Sequence, residues 1–276
     1  MKGLYAAGAI FGLLSFRYLI LSVGSYQVLW RWKKERFETL RIQRKFPPVQ
    51  QLWKEVYWSL TAFVLIAASW GLLYQNGVFD KSKVYFVFGA HGVGYFLLSI
   101  VTMMLVHDTY FYWSHRLMHW KPVFKLAHHV HHESVNPSPL AAFSFHPAET
   151  VIEALVVLTM PFILPIHPAA LGIFLFFSHC MNAMGHLGYE LFPSGFARGS
   201  VTGWVNTATH HNMHHQYFTS NYGLYFNFWD RLMGTNHPRY LETFERITAG
   251  AAKTAGAAKG DRRVDTVDGS LSTVVT

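Results

Sequence analysis

The sequence predicts an all-α integral membrane protein, with about four transmembrane helices or hairpins and a cytoplasm-facing helical cap built around histidine. Three observations carry that expectation. The 276-residue chain is 51% hydrophobic and only 14% charged, whereas an ordinary soluble domain is roughly 25% charged. Its apolar residues fall in runs long enough to cross about 30 Å of hydrocarbon. Of its 17 histidines, 15 lie between His107 and His215, largely outside those runs.

The elements follow in order. Residues 4–30 form the first apolar run, interrupted by Arg17. A charge at that depth is a functional hint, although a snorkelling side chain is the simpler reading. The run is too long for the core of a cleavable signal peptide. Seven basic residues follow at once (Arg31, Lys33, Lys34, Arg36, Arg41, Arg44 and Lys45). Such a cluster marks a cytoplasmic loop and accounts for much of the +8 net charge without a nucleic-acid partner. Residues 56–74 form a second run, closed by the turn signal Asn76-Gly77. Residues 84–106 form a third, with Gly89, Gly92 and Gly94 suited to close helix packing. His91 is expected to pack in its interior.

The fourth apolar block carries a topological argument. Histidine-rich segments flank it on both sides, so a metal centre shared between them forbids a single crossing. Two full crossings need about 40 apolar residues, and the block is shorter. Pro161, Pro165 and Pro168 interrupt its middle, where proline breaks a helix. A re-entrant hairpin over 151–178 is expected, as two half-helices or two shortened, tilted spans, with His167 at the far turn. The organisation is then N-terminal spans with a basic loop over 1–106, a catalytic unit over 107–240 and a disordered tail over 250–276. The histidines face the cytoplasm, from a bacterial inner membrane or the endoplasmic reticulum. Cys180, the only cysteine, excludes a disulfide framework and a Cys-based zinc module.

The histidines repeat a grammar. His115 and His119 read HRLMH; His128, His131 and His132 read HHVHH; His211, His214 and His215 read HNMHH. Residues at i, i+3 and i+4 share a helix face, so two such boxes facing each other deliver six imidazoles into one small volume. The boxes hold eight histidines, and His186 and His179 extend the set to nine or ten. That exceeds the four to six ligands of one transition metal and suits two. A structural zinc site is closed by four ligands, often with cysteine. A hydrolytic zinc site needs about three histidines and a nearby carboxylate, and carboxylates are sparse here. Imidazole suits iron, zinc, copper and nickel, and an all-imidazole di-iron oxidase is the reading that uses the full count. Asp108 lies on the stripe of His115 and His119, where it could fix a ligand's tautomer. His146 is expected behind the ligands or capping a helix before Pro147. His129 and His210 face away from the boxes, with His210 behind the ligands. Asp230 either anchors a helix or orients a ligand. His91, His167 and His237 are expected to be unrelated. A histidine-rich transporter or metal store is the alternative, but transport places ligands within spans near the midplane.

At these residues the chain resembles the fatty acid hydroxylase/sterol desaturase superfamily of membrane di-iron enzymes. The carrying segments are DTYFYWSHRLMH from Asp108, HHVHHESVNPSPLAAFSFHPAE, GHLGYE around His186, and HHNMHHQYFTSNYGLYFNFWDRLMGT ending at Thr235. The second and last are most similar to sterol C5-desaturase-like members. The resemblance implies two iron ions held by His115, His119, His128, His131, His132, His186, His211, His214 and His215. His179 occupies a place that varies between subfamilies. It further implies a membrane lipid substrate (sterol, fatty acyl or sphingoid), dioxygen, and hydroxylation or desaturation of a C–H bond. No cytochrome b5 module is recognisable, so a separate donor is expected, such as cytochrome b5 or a ferredoxin with its reductase.

Overall fold

The computed structural model describes residues 1–250 and is all-helical. Among those residues no β-strand forms, only isolated bridges. Four helices are long and apolar enough to cross a bilayer: α1 (Lys2–Trp32), α2 (Val49–Gln75), α3 (Gly92–Met118) and α5 (Pro168–Gly185). Between α3 and α5 lies α4 (Pro147–Ile163), and α6 (Ala208–Tyr217) carries the last histidine box. The expected tail falls on residues 251–276, outside the described residues, save that Gly250 lies in a helix that begins at Tyr240.

Helices α1 and α2 form a close antiparallel pair. A Cβ on Gly71 would sit 2.5 Å from the Gly3 carbonyl oxygen, so absent side chains let the two backbones meet. Gln75 Oε1 accepts the Gly3 N–H at 2.8 Å and ties the far ends together. Farther along, Leu14 and Tyr18 of α1 bury against Phe63 of α2 and Leu140. Arg17 is half-buried on α1.

The third helix departs from the expected span. It starts at Gly92, not Val84, and runs without a break through His115 to Met118. Residues 84–91 are not helical because they seal the turn of the α4–α5 hairpin. Lys83 N–H donates to the Pro161 carbonyl at 2.7 Å and Tyr85 N–H to the Ile166 carbonyl at 3.2 Å. Gly92, at φ +76°, then takes a left-handed conformation that favours glycine. His91 is consequently exposed just before α3, between the Tyr85 and Tyr95 rings, and not packed inside a span.

The proline-interrupted block folds as two helices of 17 and 18 residues, each about 26 Å long at 1.5 Å per residue. Both are shorter than the 27-residue α2 and α3, and of the two only α5 is long and apolar enough to cross a membrane. Each begins with a His-Pro pair. His146 Nδ1 accepts the Ala148 N–H at 3.2 Å, and His167 Nδ1 accepts the Ala169 N–H at 3.1 Å. Proline at the first position has no N–H to leave unsatisfied. The hairpin packs on α3 through Phe96, Ile100, Met103, Met160 and Phe174. Between membrane-spanning helices such packing is held by van der Waals contact, because lipid tails are as apolar as these side chains. This packing returns the C-terminus of α5 to the level of the HRLMH box.

Candidate metal centre

Nine histidines converge in two adjacent groups. His115, His119, His128, His132 and His214 form one; His131, His186, His211 and His215 form the other. Within each group the candidate ligand atoms all lie within 4.8 Å of one another. The groups share a wall, where the His132 and His215 rings stack at 4.7 Å. All nine are buried except His119, which is partly so.

Helix geometry sorts them. In the HHVHH box, His128 and His132 enter the five-histidine group while His131 enters the other; in HNMHH, His211 and His215 enter the four-histidine group and His214 crosses over. Positions i and i+4 differ by about 40° and i+3 and i+4 by about 100°. Each box therefore serves two pockets, and the single volume expected from face-sharing divides in two. A π-helical turn over Phe124–His128 precedes the short helix His129–His132, a distortion frequent at functional sites. Gly185 lets α5 approach α6: a Cβ there would sit 3.1–3.2 Å from the His211 side chain.

The ring nitrogens are oriented one by one. Nδ1 of His115 donates to the Tyr222 carbonyl (2.8 Å), of His214 to Ser220 (2.7 Å), of His215 to Ser134 (2.9 Å), of His186 to Asn182 (2.7 Å) and of His131 to Ser144 (3.4 Å). His128 Nδ1 meets the Glu149 carboxylate at 2.7 Å. A neutral imidazole that donates from Nδ1 carries a lone pair on Nε2. Where both rings are held at Nδ1 those lone pairs face one another: His115 and His128 Nε2 are 3.0 Å apart and His131 and His186 3.4 Å. Nε2 of His132 and of His211, whose Nδ1 atoms have no partner, lies 3.0 Å from His214 and 3.2 Å from His186. Two bare lone pairs cannot hydrogen-bond, so the arrangement is satisfied by a cation between them. Burial, reinforced by neighbouring imidazoles, holds His128, His131, His132, His211, His214 and His215 well below the usual histidine range. Burial lowers His186 to about 4. All seven are neutral at pH 7 and ready to ligate. The donor set is all nitrogen, with no thiolate, and fits a late first-row transition metal.

The remaining expected residues fall elsewhere. His179 enters neither group: it is buried against the Phe143 ring, with both nitrogens unpartnered. Asp108 does not touch a histidine. Its Oδ1 accepts the Tyr225 and Phe226 N–H groups (2.8 and 3.3 Å), because the loop after the last box folds back over α3. Asp230 accepts the N–H groups of Tyr222 and Gly223 (2.9 and 2.7 Å) and thereby fixes the carbonyl that orients His115. His210 points away from the pockets to Asn236 (3.1 Å). His146 caps α4, and His129 is exposed.

Three carboxylates, two of them visible in the sequence near the boxes (Glu149 and Glu190), had no role assigned from it. Glu149, in the first turn of α4, is the acid that meets a ring. Glu55, fully buried on α2, accepts from Ser134 Oγ (2.8 Å), Gln51 Nε2 (2.8 Å) and Ser138 Oγ. It thus braces the Ser134 carbonyl behind His215. Glu190 accepts Thr209 N–H and Oγ1–H (2.9 and 2.7 Å) at the start of α6. The one legible signal was HPAE: an acid two residues after a helix-starting proline lies in the first turn.

The fatty acid hydroxylase family model matches residues 100–235. The chain is 30% identical over 84% of its length to a Delta(7)-sterol 5(6)-desaturase of Candida glabrata, covering 60% of that protein. It is 28% identical over 67% of its length to the lathosterol oxidase of Homo sapiens, covering 61% of it. A putative methylsterol monooxygenase of Dictyostelium discoideum is 31% identical over 56% of this chain and 57% of its own. The chain thus spans about three fifths of the length of these relatives. No solved structure matches it.

Proposed function

We propose, from the premise that this chain belongs to the fatty acid hydroxylase/sterol desaturase superfamily, that it is a membrane-bound oxidoreductase. It uses dioxygen and external electrons to desaturate or hydroxylate a C–H bond of a lipid, with a sterol-like substrate favoured by the relatives' names. The observation that carries the reading is the pair of all-imidazole pockets with inward Nε2 lone pairs. Two iron ions are the metal the superfamily implies. His115, His119, His128, His132 and His214 would hold one, and His131, His186, His211 and His215 the other. Bound there, iron would supply reductive activation of dioxygen and hydrogen abstraction from an unactivated C–H bond.

The protein's part is positioning. The carbonyls of Tyr222, Ser220, Ser134, Asn182 and Ser144 fix ring tautomers, and the Glu149 carboxyl group backs His128. Such outer partners raise ligand basicity. Burial of the pockets excludes water, and the apolar α3–α4 face meets a substrate that resides in the bilayer. The basic loop after α1 favours a cytoplasmic position for the histidines, within reach of a soluble or membrane-anchored donor such as cytochrome b5 or a ferredoxin. Closed pockets of buried histidine do not suit conduction, which disfavours a transporter.

The test uses the purified chain loaded with ferrous iron, supplied with a reductase and donor, and incubated with defined lipids. Oxygen consumption coupled to a lipid product two mass units lighter, or sixteen heavier, supports the reading. Absence of oxygen uptake across sterol, fatty acyl and sphingoid pools overturns it.

A further inference from the structure

We propose that Tyr222, Tyr112, Trp229 and Trp113 form a one-electron path from the five-histidine pocket to the protein surface, which discharges an oxygen-derived oxidant when no substrate is in place. This rests on the oxygen-dependent reading above. The Tyr222 ring touches three box histidines at once, His119, His214 and His115, with centroids 5.2, 5.5 and 5.8 Å away. Tyr112 follows at 6.3 Å, edge to face. Trp229 stacks on Tyr112 at 6.0 Å and meets Trp113 at 5.5 Å, and Trp113 also touches Tyr112 at 5.3 Å. Tyr112 is fully buried, whereas Trp113 is 41% exposed. It lies in the last turns of α3, which ends at Met118, a level at which tryptophan favours the membrane–water interface. Ring contacts therefore run without a gap from metal-site histidines to the surface. Phenol and indole are the side-chain rings most readily oxidised by one electron.

Packing alone would be served by phenylalanine at position 112; the hydroxyl adds a directed proton path. Thr235 donates its O–H to Asp230 Oδ1 at 2.7 Å, and a hydroxyl has a single proton to give. Tyr112 must then be the donor in its 2.9 Å contact with Thr235 Oγ1, while Arg116 Nη1 donates to the Tyr112 oxygen at 3.2 Å. Thr235 thus bridges a buried phenol to the buried Asp230 carboxylate. The step balances. The oxidant takes one electron from Tyr112 across the Tyr222 ring. The phenolic proton moves to Thr235 Oγ1 as the threonine proton moves to Asp230, leaving a neutral tyrosyl radical and a protonated acid. Trp229, refilled from Trp113, returns the electron, and the proton runs back to Tyr112. Trp229 keeps its own N–H, donated to Thr109 Oγ1 at 3.1 Å, so only an electron passes through it. At the surface, the external electrons that the reaction already consumes refill Trp113. One electron has then passed from an external reductant to the oxidant, and no box histidine has been oxidised.

The test adds hydrogen peroxide to the iron-loaded full chain in nanodiscs of saturated phospholipid. Freeze-quench electron paramagnetic resonance reads tyrosyl radical, and peptide mass spectrometry locates added oxygen. The native protein should give a tyrosyl signal, with oxidation concentrated at Trp113. Tyr112→Phe, which keeps the ring packing, should lose the signal and shift oxidation onto Tyr222 and the box histidines. Its iron content and its turnover at saturating substrate should be unchanged. Thr235→Val, which keeps Tyr112 but removes its proton acceptor, should lose the signal as well. Trp229→Phe should prolong the signal and spare Trp113. Absence of a tyrosyl signal in the native protein overturns the proposal, as does a signal, or Trp113 oxidation, that survives Tyr112→Phe undiminished. Slower turnover of fully loaded Tyr112→Phe would make the chain a route for electrons entering, and overturns the discharge role. Peroxide supplies the oxidant without lipid or donor, so the two readings fail separately. A Tyr112-dependent radical with no lipid ever oxidised refutes the activity and spares the path; lipid oxidation without that radical does the reverse.

Discussion

The two histidine pockets are neighbours built differently. One offers five imidazoles and is backed by a carboxylate at His128; the other offers four, each backed only by a carbonyl or by nothing. The five-histidine pocket nearly completes the coordination of a transition metal and has a carboxyl group behind it. The four-histidine pocket leaves more coordination positions for water or dioxygen and has only neutral partners. The first is therefore the better metal anchor, and the second the more open to exchange.

That contrast can be broken most severely at the rings. His214→Ala and His211→Ala should each abolish turnover, by more than the 10–100-fold typical of an outer partner. Each should release one metal equivalent, from different pockets. His91→Ala, exposed beyond the hairpin turn, should leave metal content and rate unchanged. Equal metal loss from all three would dissolve the two-pocket division. Glu149→Gln comes next: metal affinity should fall roughly 10–100-fold, in the five-histidine pocket alone. Chelator competition should then release that ion first, reversing the native order.

Two smaller effects sharpen the picture. Seven box and α5-end histidines are held below their usual range, His186 at about 4. In the unfolded chain they protonate near 6.5, so the unfolded state binds more protons at acid pH. Stability of the metal-free protein should therefore be full above about 6.5 and fall as pH drops toward 4. Thermal unfolding between pH 7.5 and 4.5 measures this, and a flat Tm would contradict the burial argument. Smallest, Gly185→Ala presses a methyl on His211 at 3.1 Å. Overpacking of this kind costs about 1–3 kcal/mol and should lower occupancy of the four-histidine pocket only.

The spans and the boxes were legible because apolar length and i, i+4 spacing are local properties. Residues 84–90 misled for the same reason: they are as apolar as a span, but Tyr85 bonds the Ile166 carbonyl and Lys83, just before them, the Pro161 carbonyl, each about 80 residues away. The partners behind the rings were illegible. His115 relies on the carbonyl of residue 222 and His215 on that of residue 134, and a carbonyl leaves no mark in sequence. Asp108 and Asp230 were noticed for their charge, yet both spend it on backbone N–H groups of the loop over 222–226. The division of each box between two pockets follows from the difference between i+3 and i+4. That difference belongs to helix geometry alone, so it is written in the spacing of the boxes themselves.

The shared boxes have a mechanical consequence. The turn His129–His132 feeds both pockets, as does α6. Neither can rotate to relax around one ion without re-aiming a ring at the other. Filling one pocket thus pre-sets the second, and the two sites are geared together. Metal uptake by this protein should therefore be cooperative, each ion binding more tightly when the other pocket is filled than when it is empty.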